Sequence, residues 1–206
     1  MLSILRSLVQ EVNSARDLQE ALDIIVSRVQ KAMGTEVCSV YLLDPATNRY
    51  ILMATEGLYR KAVGQVSLAY SEGLVGLVGS REEPINLEDA PSHPRYRYFP
   101  ETGEERFRSF LGVPIIHHRR VMGGLVVQQR DARRFDQSEE AFLVTISAQL
   151  SAVIAHAHAS GALFEQLDAH EKLPTSSDGQ PGALGAALGP AVPRFTEADP
   201  AAGRAG

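Results

Sequence analysis

The stretch FRSFLGVPIIHHRRVMGGLVVQQ, residues 107–129, decides how this chain folds. Two apolar runs, residues 109–116 and 122–127, flank a short basic turn at residues 117–120. Runs of this length, rich in Val, Ile, Leu and Phe and bounded by turn residues, predict the two strands of a β-hairpin. Because both runs are apolar at nearly every position, both faces of the hairpin should be covered by other elements. The stretch therefore predicts the centre of a sheet in a layered α+β domain.

Length, charge and cysteine content narrow the class of protein. The chain has 206 residues, one cysteine and a formal net charge of −5. That length allows one domain of roughly 150 residues plus a tail, or at most two small domains. Cys38 is the single cysteine and cannot form an internal disulfide, which favours a reducing compartment. Negative net charge argues against general nucleic-acid binding. No apolar run approaches the roughly 20 residues of a membrane span, so we expect a cytoplasmic protein without nucleic-acid or membrane partners.

The elements around the hairpin follow from periodicity and turn chemistry. Apolar residues at helical spacing predict helices over residues 2–13 and 17–33, the second with a capping box at Asp17 and Glu20 and a stop at Gly34. A long last helix, capped by Asp136, is predicted over residues 136–167. The other predicted segments are strands at 36–43, 49–55 and 64–68, a short helix at 73–80, an edge strand at 84–87 and a lid-like loop at 93–108.

These elements predict a central antiparallel sheet of about five or six strands. The N- and C-terminal helices should cover one face, while the insertion at residues 64–108 should cover the other and enclose a pocket. Toward the C-terminus the composition shifts to Ala, Gly and Pro with little periodicity, which predicts a disordered linker over residues 169–206.

Five segments resemble the GAF family of small-molecule-binding regulatory domains. They are CSVYLLD at 38–44, EGLVGLVG at 72–79, INLEDAPSHPRY at 85–96, SFLGVPI at 109–115 and RRFDQSEEAFL at 133–143. Each segment alone is short and weak evidence, but the five together, in this order and at these spacings, are fairly specific for the GAF fold. The resemblance implies the GAF fold, with a sensor domain over residues 1–168.

A narrower resemblance is to the N-terminal sensor domains of the bacterial phosphoenolpyruvate-protein phosphotransferases of the nitrogen branch. It is carried by residues 1–18, by VCSVYLLDPATNRYILMATEGL at 37–58 and by HPRYRYFPETGEERF at 93–107. The segment GQPGALGAALGPAV at 179–192 is loosely similar to the opening of that family's phosphohistidine domain, here truncated. The family's Gly-Gly-x-Thr-Ser-His context of the phosphorylated histidine does not occur, and no room remains for its phosphoenolpyruvate-binding barrel. The resemblance therefore implies a regulatory chain that is not itself an enzyme.

The resemblance also implies a ligand site between the sheet and the inserted loops, with no metal or cofactor. The positions that match the family's usual contacts are Ser39, Tyr41, Thr55, Glu56, Gly73, Leu74, Val75, Asp89, His93, Tyr96 and Thr102. Alternate strand residues share a face, so Ser39 and Tyr41 should point the same way. The implied effector is glutamine or 2-oxoglutarate. Arg106 or Arg108 would bind a carboxylate, and Glu56 or Asp89 an ammonium group, although a solvated lid explains the same charges.

Other functions stay open at this point. GAF domains that bind cyclic nucleotides often carry an Asn-Lys…Phe…Asp-Glu signature, whereas this chain has Gln129-Arg130, Phe135 and Glu139-Glu140, with Arg130 and Glu139 still able to form the ion pair. A small enzyme such as a free methionine sulfoxide reductase would need several cysteines. A third alternative is an interaction module with a vestigial pocket, and in every case we expect a homodimer formed through the terminal helices.

Overall fold

The structure, a computed structural model, describes residues 2–159, with side chains from residue 6 onward. The helices are α1 Leu2–Asn13, α2 Leu18–Met33, α3 Gly73–Arg81 and α4 Gln137–Ala159. The strands are β1 Val37–Asp44, β2 Arg49–Glu56, β3 Ser67–Ala69, β4 Ile85–Leu87, β5 Ser109–His117 and β6 Arg120–Gln129. The predicted continuation of the last helix to residue 167, and the predicted linker over 169–206, lie outside the described residues.

The strands form one six-stranded sheet in the order β3-β2-β1-β6-β5-β4, with every neighbouring pair antiparallel. The β5–β6 hairpin lies inside the sheet, as its apolar runs predict, and β4 lies at an edge. At the hairpin tip His118 and Arg119 have φ values of 47° and 63°. Two successive residues with positive φ make the tight turn whose twist matches that of the flanking strands. The predicted α+β architecture is confirmed.

Helices α2 and α4 cover one face of the sheet, and α1 packs on α2 with Leu8 buried in the same apolar cluster. Leu22 of α2 and Leu150 of α4 are at most 1% exposed and belong to one apolar cluster with Leu111, Val113 and Leu125 of the central strands. Burying one such side chain contributes roughly 1.5–3 kcal/mol. By length and composition α4 would also pass for a membrane span, but its apolar residues pack against the sheet as those of a core helix do.

The insertion between β2 and β5 covers the opposite face. Helix α3 packs over β5 and β6, with Val78 beside Phe110 in a second apolar cluster. A Cβ at Gly112 would lie 2.7 Å from Val78 Cγ2, and a Cβ at Gly79 would overlap the Tyr50 hydroxyl. The glycines of residues 73–79 and the sheet below them thus permit the close packing that the sequence predicts.

The predicted caps at Asp17, Gly34 and Asp136 are present, but in the predicted capping box of α2 the Glu20 carboxylate accepts from Arg16 N rather than Asp17 N. Asp17 Oδ1 accepts a hydrogen bond of 2.8 Å from Glu20 N, and Gly34 ends α2 with φ of 64°. At the start of α4, Glu139 N donates to Asp136 Oδ1 at 2.9 Å while Asp136 N donates to Glu139 Oε2 at 2.7 Å. This reciprocal capping box fixes where the last helix begins.

The ion pair that the sequence left possible between Arg130 and Glu139 does not form. Arg133 binds Glu139 instead, with Nη1–Oε2 and Nη2–Oε1 distances of 2.9 and 2.8 Å. Arg130 lies 3.6 Å from Glu36 at the end of β6. The reason is that the capping box turns Glu139 back toward the loop before α4, where Arg133 stacks on the Phe135 ring at 4.5 Å.

Candidate functional site

A small, partly open cavity lies between the sheet and the insertion, where the sequence predicts a pocket. Its volume is about 30 Å³, enough for one or two water molecules. The residues that line it are Tyr41, Leu68, Leu74, Val75, Tyr96, Arg97, Phe99, Glu104, Phe110, Val126 and Gln128. We call α3 and residues 95–104 the roof of this cavity.

The floor of the cavity is one face of the central strands. Ser39 pairs with Val126 between β1 and β6, and Phe110 pairs with Gln128 between β5 and β6. Paired residues of antiparallel strands point to the same side, and so do residues two apart on one strand. Tyr41, Val126, Gln128 and Phe110 therefore all face the roof.

The two parts of the roof differ in how they are held: α3 is buried against the sheet, whereas residues 95–97 are joined to the segment just before α3 by two polar contacts. The Arg95 guanidinium donates to the Ser71 carbonyl oxygen, and Arg97 Nε lies 3.6 Å from Glu72 Oε1. Arg97 is 67% exposed, so its ion pair with Glu72 is weak. Residues 95–97 are therefore held to the start of α3 by contacts that a modest free energy can break.

Glu104 is the acidic residue of the cavity wall, and its side chain is half-buried. Burial raises the pKa of its carboxyl to about 7, while hydrogen bonds from Phe99 N and the Gln128 amide act in the opposite direction. The Phe99 N–Glu104 Oε1 distance is 3.3 Å. Burial also raises the pKa of Tyr41, and that of Tyr96 to about 12. The cavity thus contains a carboxyl group that changes charge near neutral pH and two hydroxyls that stay protonated there.

Four of the predicted site residues line the cavity. They are Tyr41, Leu74, Val75 and Tyr96. Ser39 and Tyr41 share a face, as predicted, but the Ser39 hydroxyl is buried and bonded to Thr55 Oγ1 at 2.8 Å. These two hydroxyls satisfy each other outside the cavity lining.

The other predicted residues lie around the cavity rather than in it. Glu56 is 3.8 Å from Arg60, Gly73 opens α3 with φ of 66°, and the Thr102 hydroxyl donates to Phe99 O at 2.7 Å. Arg106 stacks on the Phe107 ring at 5.1 Å. Each of these polar groups already has a local partner.

Asp89, His93 and Arg108 come together on the outer surface. They line a shallow open groove, where Arg108 Nε is 2.9 Å from Asp89 Oδ1 and His93 Nδ1 accepts from Arg95 N at 3.1 Å. The sequence suggested that Arg108 and Asp89 could bind the two charged groups of a zwitterionic ligand. In the structure they pair with each other instead, away from the cavity.

The sequence interpretation missed the most polar residues of the cavity, Arg97, Glu104 and Gln128. A signal existed for Gln128, because it continues the alternation that buries Val126 on the same face of β6. No local signal existed for Glu104, which stands among exposed charges at 101–108. Within residues 2–159 no three His, Cys, Asp or Glu side chains are grouped as metal ligands.

Comparison with known families gives one family match. The GAF domain profile matches residues 17–154. The GAF domain of a phosphoenolpyruvate-protein phosphotransferase from Coxiella burnetii is 51% identical, with a TM-score of 0.75 over 79% of this chain and 96% of that one. The GAF domain of the Acinetobacter phosphoenolpyruvate-protein phosphotransferase is 52% identical, with a TM-score of 0.72 over 79% and 97%. Both are GAF domains of phosphoenolpyruvate-protein phosphotransferases, the family that the sequence resemblance implies.

This chain is also similar to longer relatives and to a more distant solved structure. Two relatives described as phosphoenolpyruvate-dependent phosphotransferase system, from Salmonella typhimurium and Escherichia coli, are each 53% identical over 166 residues. The match covers 81% of this chain and 22% of each relative, so the chain spans about a fifth of their length. A free methionine-R-sulfoxide reductase from Neisseria meningitidis, solved with its substrate, has a TM-score of 0.66 at 17% identity, which shows a shared fold alone.

Proposed function

Because this chain belongs to the GAF domain family, as a domain of the kind found in phosphoenolpyruvate-protein phosphotransferases, we propose that it senses a small polar effector and controls autophosphorylation of such an enzyme. The observation that carries the proposal is the partly open cavity beneath a roof whose residues 95–97 are held by two polar contacts, with a half-buried carboxyl group in its wall. The candidate effectors are glutamine and 2-oxoglutarate, acting in the cytoplasm.

The small volume of the cavity determines how an effector could enter it. Ligand pockets usually measure about 300–1,000 Å³, whereas this cavity measures about 30 Å³. An effector must therefore move residues 95–104 of the roof away from the start of α3, which breaks the Arg95–Ser71 and Arg97–Glu72 contacts. Binding then favours that arrangement by the difference in affinity between the two states. Because α3 also packs on β5 and β6, and α4 packs on β5 from the other side, roof movement has a direct route to the last helix.

Thermal unfolding and calorimetry with glutamine, 2-oxoglutarate and cyclic GMP test this function. A ligand at about 100 times its Kd stabilises the folded state by roughly 2.7 kcal/mol, which should raise Tm by about 5–10 °C for a chain of this size. Leu74→Phe, which fills the cavity, should abolish the shift. Leu77→Phe is the matched control, because Leu77 is equally buried on the same helix but does not line the cavity. A response to cyclic GMP alone would reject both effectors.

Dimerisation with an empty, vestigial pocket is the second candidate function. The small cavity favours it, and so does an apolar groove between α1 and α4 of about 40 Å³, lined by Leu8, Val12, Leu150 and Val153 among others. Sedimentation analysis should then find a dimer that Val153→Glu dissociates and the exposed Thr145→Glu does not. A chain that sediments as a monomer at all concentrations would exclude this role.

A further inference from the structure

The polar groups around the cavity are arranged for a cation. Glu104 supplies a carboxyl, and Tyr41, Tyr96 and Gln128 supply neutral oxygens. Among the lining residues the cationic side chain is Arg97, which stands at the rim with 67% of its side chain exposed and lies 3.6 Å from Glu72. No cationic side chain among the described residues therefore pairs with the Glu104 carboxylate inside the cavity.

When Glu104 is ionised, its carboxylate has too few partners in the cavity to offset the loss of hydration. Glu104 has the Phe99 N–H at 3.3 Å and the Gln128 amide, but these hydrogen bonds do not offset the cost of burial, and its pKa stays raised. A compact cation that donates several hydrogen bonds would complete the site. The cavity of about 30 Å³ has room for one or two water-sized groups, which is the scale of an ammonium group.

We propose that Glu104 binds the ammonium group of an amino-acid effector, and that this contact selects amino acids over 2-oxo acids. The proposal rests on the proposed sensing function, and it names the class of ligand that the same cavity takes. The ammonium group enters the existing cavity, and the rest of the ligand lies where Tyr96 and Phe99 now close the roof. At the rim, Arg97 exchanges its weak contact with Glu72 for the carboxylate of the ligand.

The same arrangement disfavours 2-oxoglutarate. That ligand has a carbonyl oxygen where glutamine has its ammonium group, and it carries two carboxylates. Near Glu104 it would meet a like charge or require Glu104 to be protonated, and in neither state would it supply the missing cation. Glutamine should therefore bind more tightly than 2-oxoglutarate, by a margin that depends on Glu104.

Binding should be coupled to proton release. With a pKa of about 7, Glu104 is about half ionised at pH 7 in the free domain, so ammonium binding releases about half a proton there. If only the ionised form binds, affinity rises roughly tenfold between pH 6 and pH 8. The titratable and charged groups that face Glu104 are Glu105, Tyr41, Tyr96, Tyr98 and Arg97. Burial raises the pKa of each of these three tyrosines, so they stay neutral over that range.

Calorimetry on the full chain tests the proposal with three ligands: L-glutamine, 2-oxoglutarate, and 5-amino-5-oxopentanoate, which is glutamine without its ammonium group. Titrations at pH 6, 7 and 8, in buffers of different ionisation enthalpy, measure affinity and proton release together. The variants are Glu104→Gln and the control Glu105→Gln, an exposed neighbour of the same type. Thermal unfolding checks that each variant is folded.

We expect the wild type and Glu105→Gln to prefer glutamine over both other ligands by at least tenfold, with the stated rise of affinity with pH. Glu104→Gln should lose most of that preference and the proton release. Equal or tighter binding of 2-oxoglutarate or the ammonium-free analogue by the wild type would overturn the Glu104 assignment while leaving the sensing function intact. So would unchanged selectivity in Glu104→Gln. Folded protein that binds none of the three ligands would overturn both.

Discussion

The half-buried carboxyl of Glu104 allows a prediction about stability that needs no ligand. A carboxyl whose pKa rises on folding stabilises the folded state most when protonated. For Glu104 this contribution is fully present below the unfolded value of 4.5, is lost as pH rises, and is gone above the folded value of about 7. Replacing Glu104 by Gln removes the titration while keeping nearly the same shape. The free energy of unfolding of the variant should therefore depend less on pH than that of the wild type.

The size of the effect follows from the pKa shift. A rise from 4.5 to about 7 corresponds to roughly 3 kcal/mol over the full range, at about 1.4 kcal/mol per pKa unit. Between pH 5 and pH 8 the wild type should lose about 2–3 kcal/mol from this group. Asp23, whose pKa is raised, and Glu20 and Glu139, whose pKa values are lowered, also titrate. They are common to both proteins, so their contributions cancel in the difference.

Urea unfolding at pH 5 and pH 8 measures this difference. The stability of Glu104→Gln relative to the wild type should increase by about 2–3 kcal/mol from pH 5 to pH 8. Glu105→Gln, a substitution at an exposed neighbour, should show almost no such change. If the two variants follow the same pH dependence, Glu104 is solvated in the folded state, and the reasoning about a half-buried carboxyl in the cavity fails.

Other predictions concern the packing and the last helix, and all are read from urea unfolding. Gly79→Ala should destabilise the domain by about 1–3 kcal/mol, because the new Cβ overlaps the Tyr50 hydroxyl. In a Tyr50→Phe background this loss of stability should be smaller. If the effects of the two substitutions on the free energy of unfolding simply add, the overlap is contradicted. Tyr50→Phe alone should be neutral or stabilising by up to about 1 kcal/mol, since this buried hydroxyl has no hydrogen-bond partner among the described residues. Glu139→Gln should lower the free energy of unfolding by about 1–2 kcal/mol at pH 7. Arg133 lowers the pKa of the Glu139 carboxyl, so the wild type loses this stabilisation when the carboxyl is protonated at acid pH. The difference between the two proteins should therefore become much smaller there. Leu150→Ala should cost about 2–5 kcal/mol, as Leu150 is 1% exposed between α4 and the sheet; a smaller loss would mean that α4 is loosely docked.

The cap, turn and strand positions show what local sequence can predict. Asp17 and Gly34 bound α2 through hydrogen bonds and backbone angles that involve only neighbouring residues. The apolar runs of the central hairpin need no knowledge of their partners to be identified as buried strands. Even the shared face of Ser39 and Tyr41 follows from the alternation of one strand.

The cavity shows where local sequence is insufficient. Glu104 and Glu105 are adjacent and chemically alike, yet one lines the cavity and the other is exposed. Similarly, Arg130 and Arg133 lie three residues apart, and only the geometry of the capping box selects Arg133 for Glu139. Like charges in a polar segment have the same local pattern, so no periodicity separates them.

The sequence by itself determined the sheet and its covering helices, because apolar periodicity, capping and turn chemistry act between residues close together in the chain. It indicated the family through the resemblance of short segments to GAF domains. Only the tertiary structure decided which polar residues form the cavity. Its floor comes from β1, β5 and β6 and its roof from α3 and residues 95–104, and Glu104 meets Gln128 from a segment that is distant along the chain. Burial of a charge depends on what packs over it, and that is a property of the assembled layers.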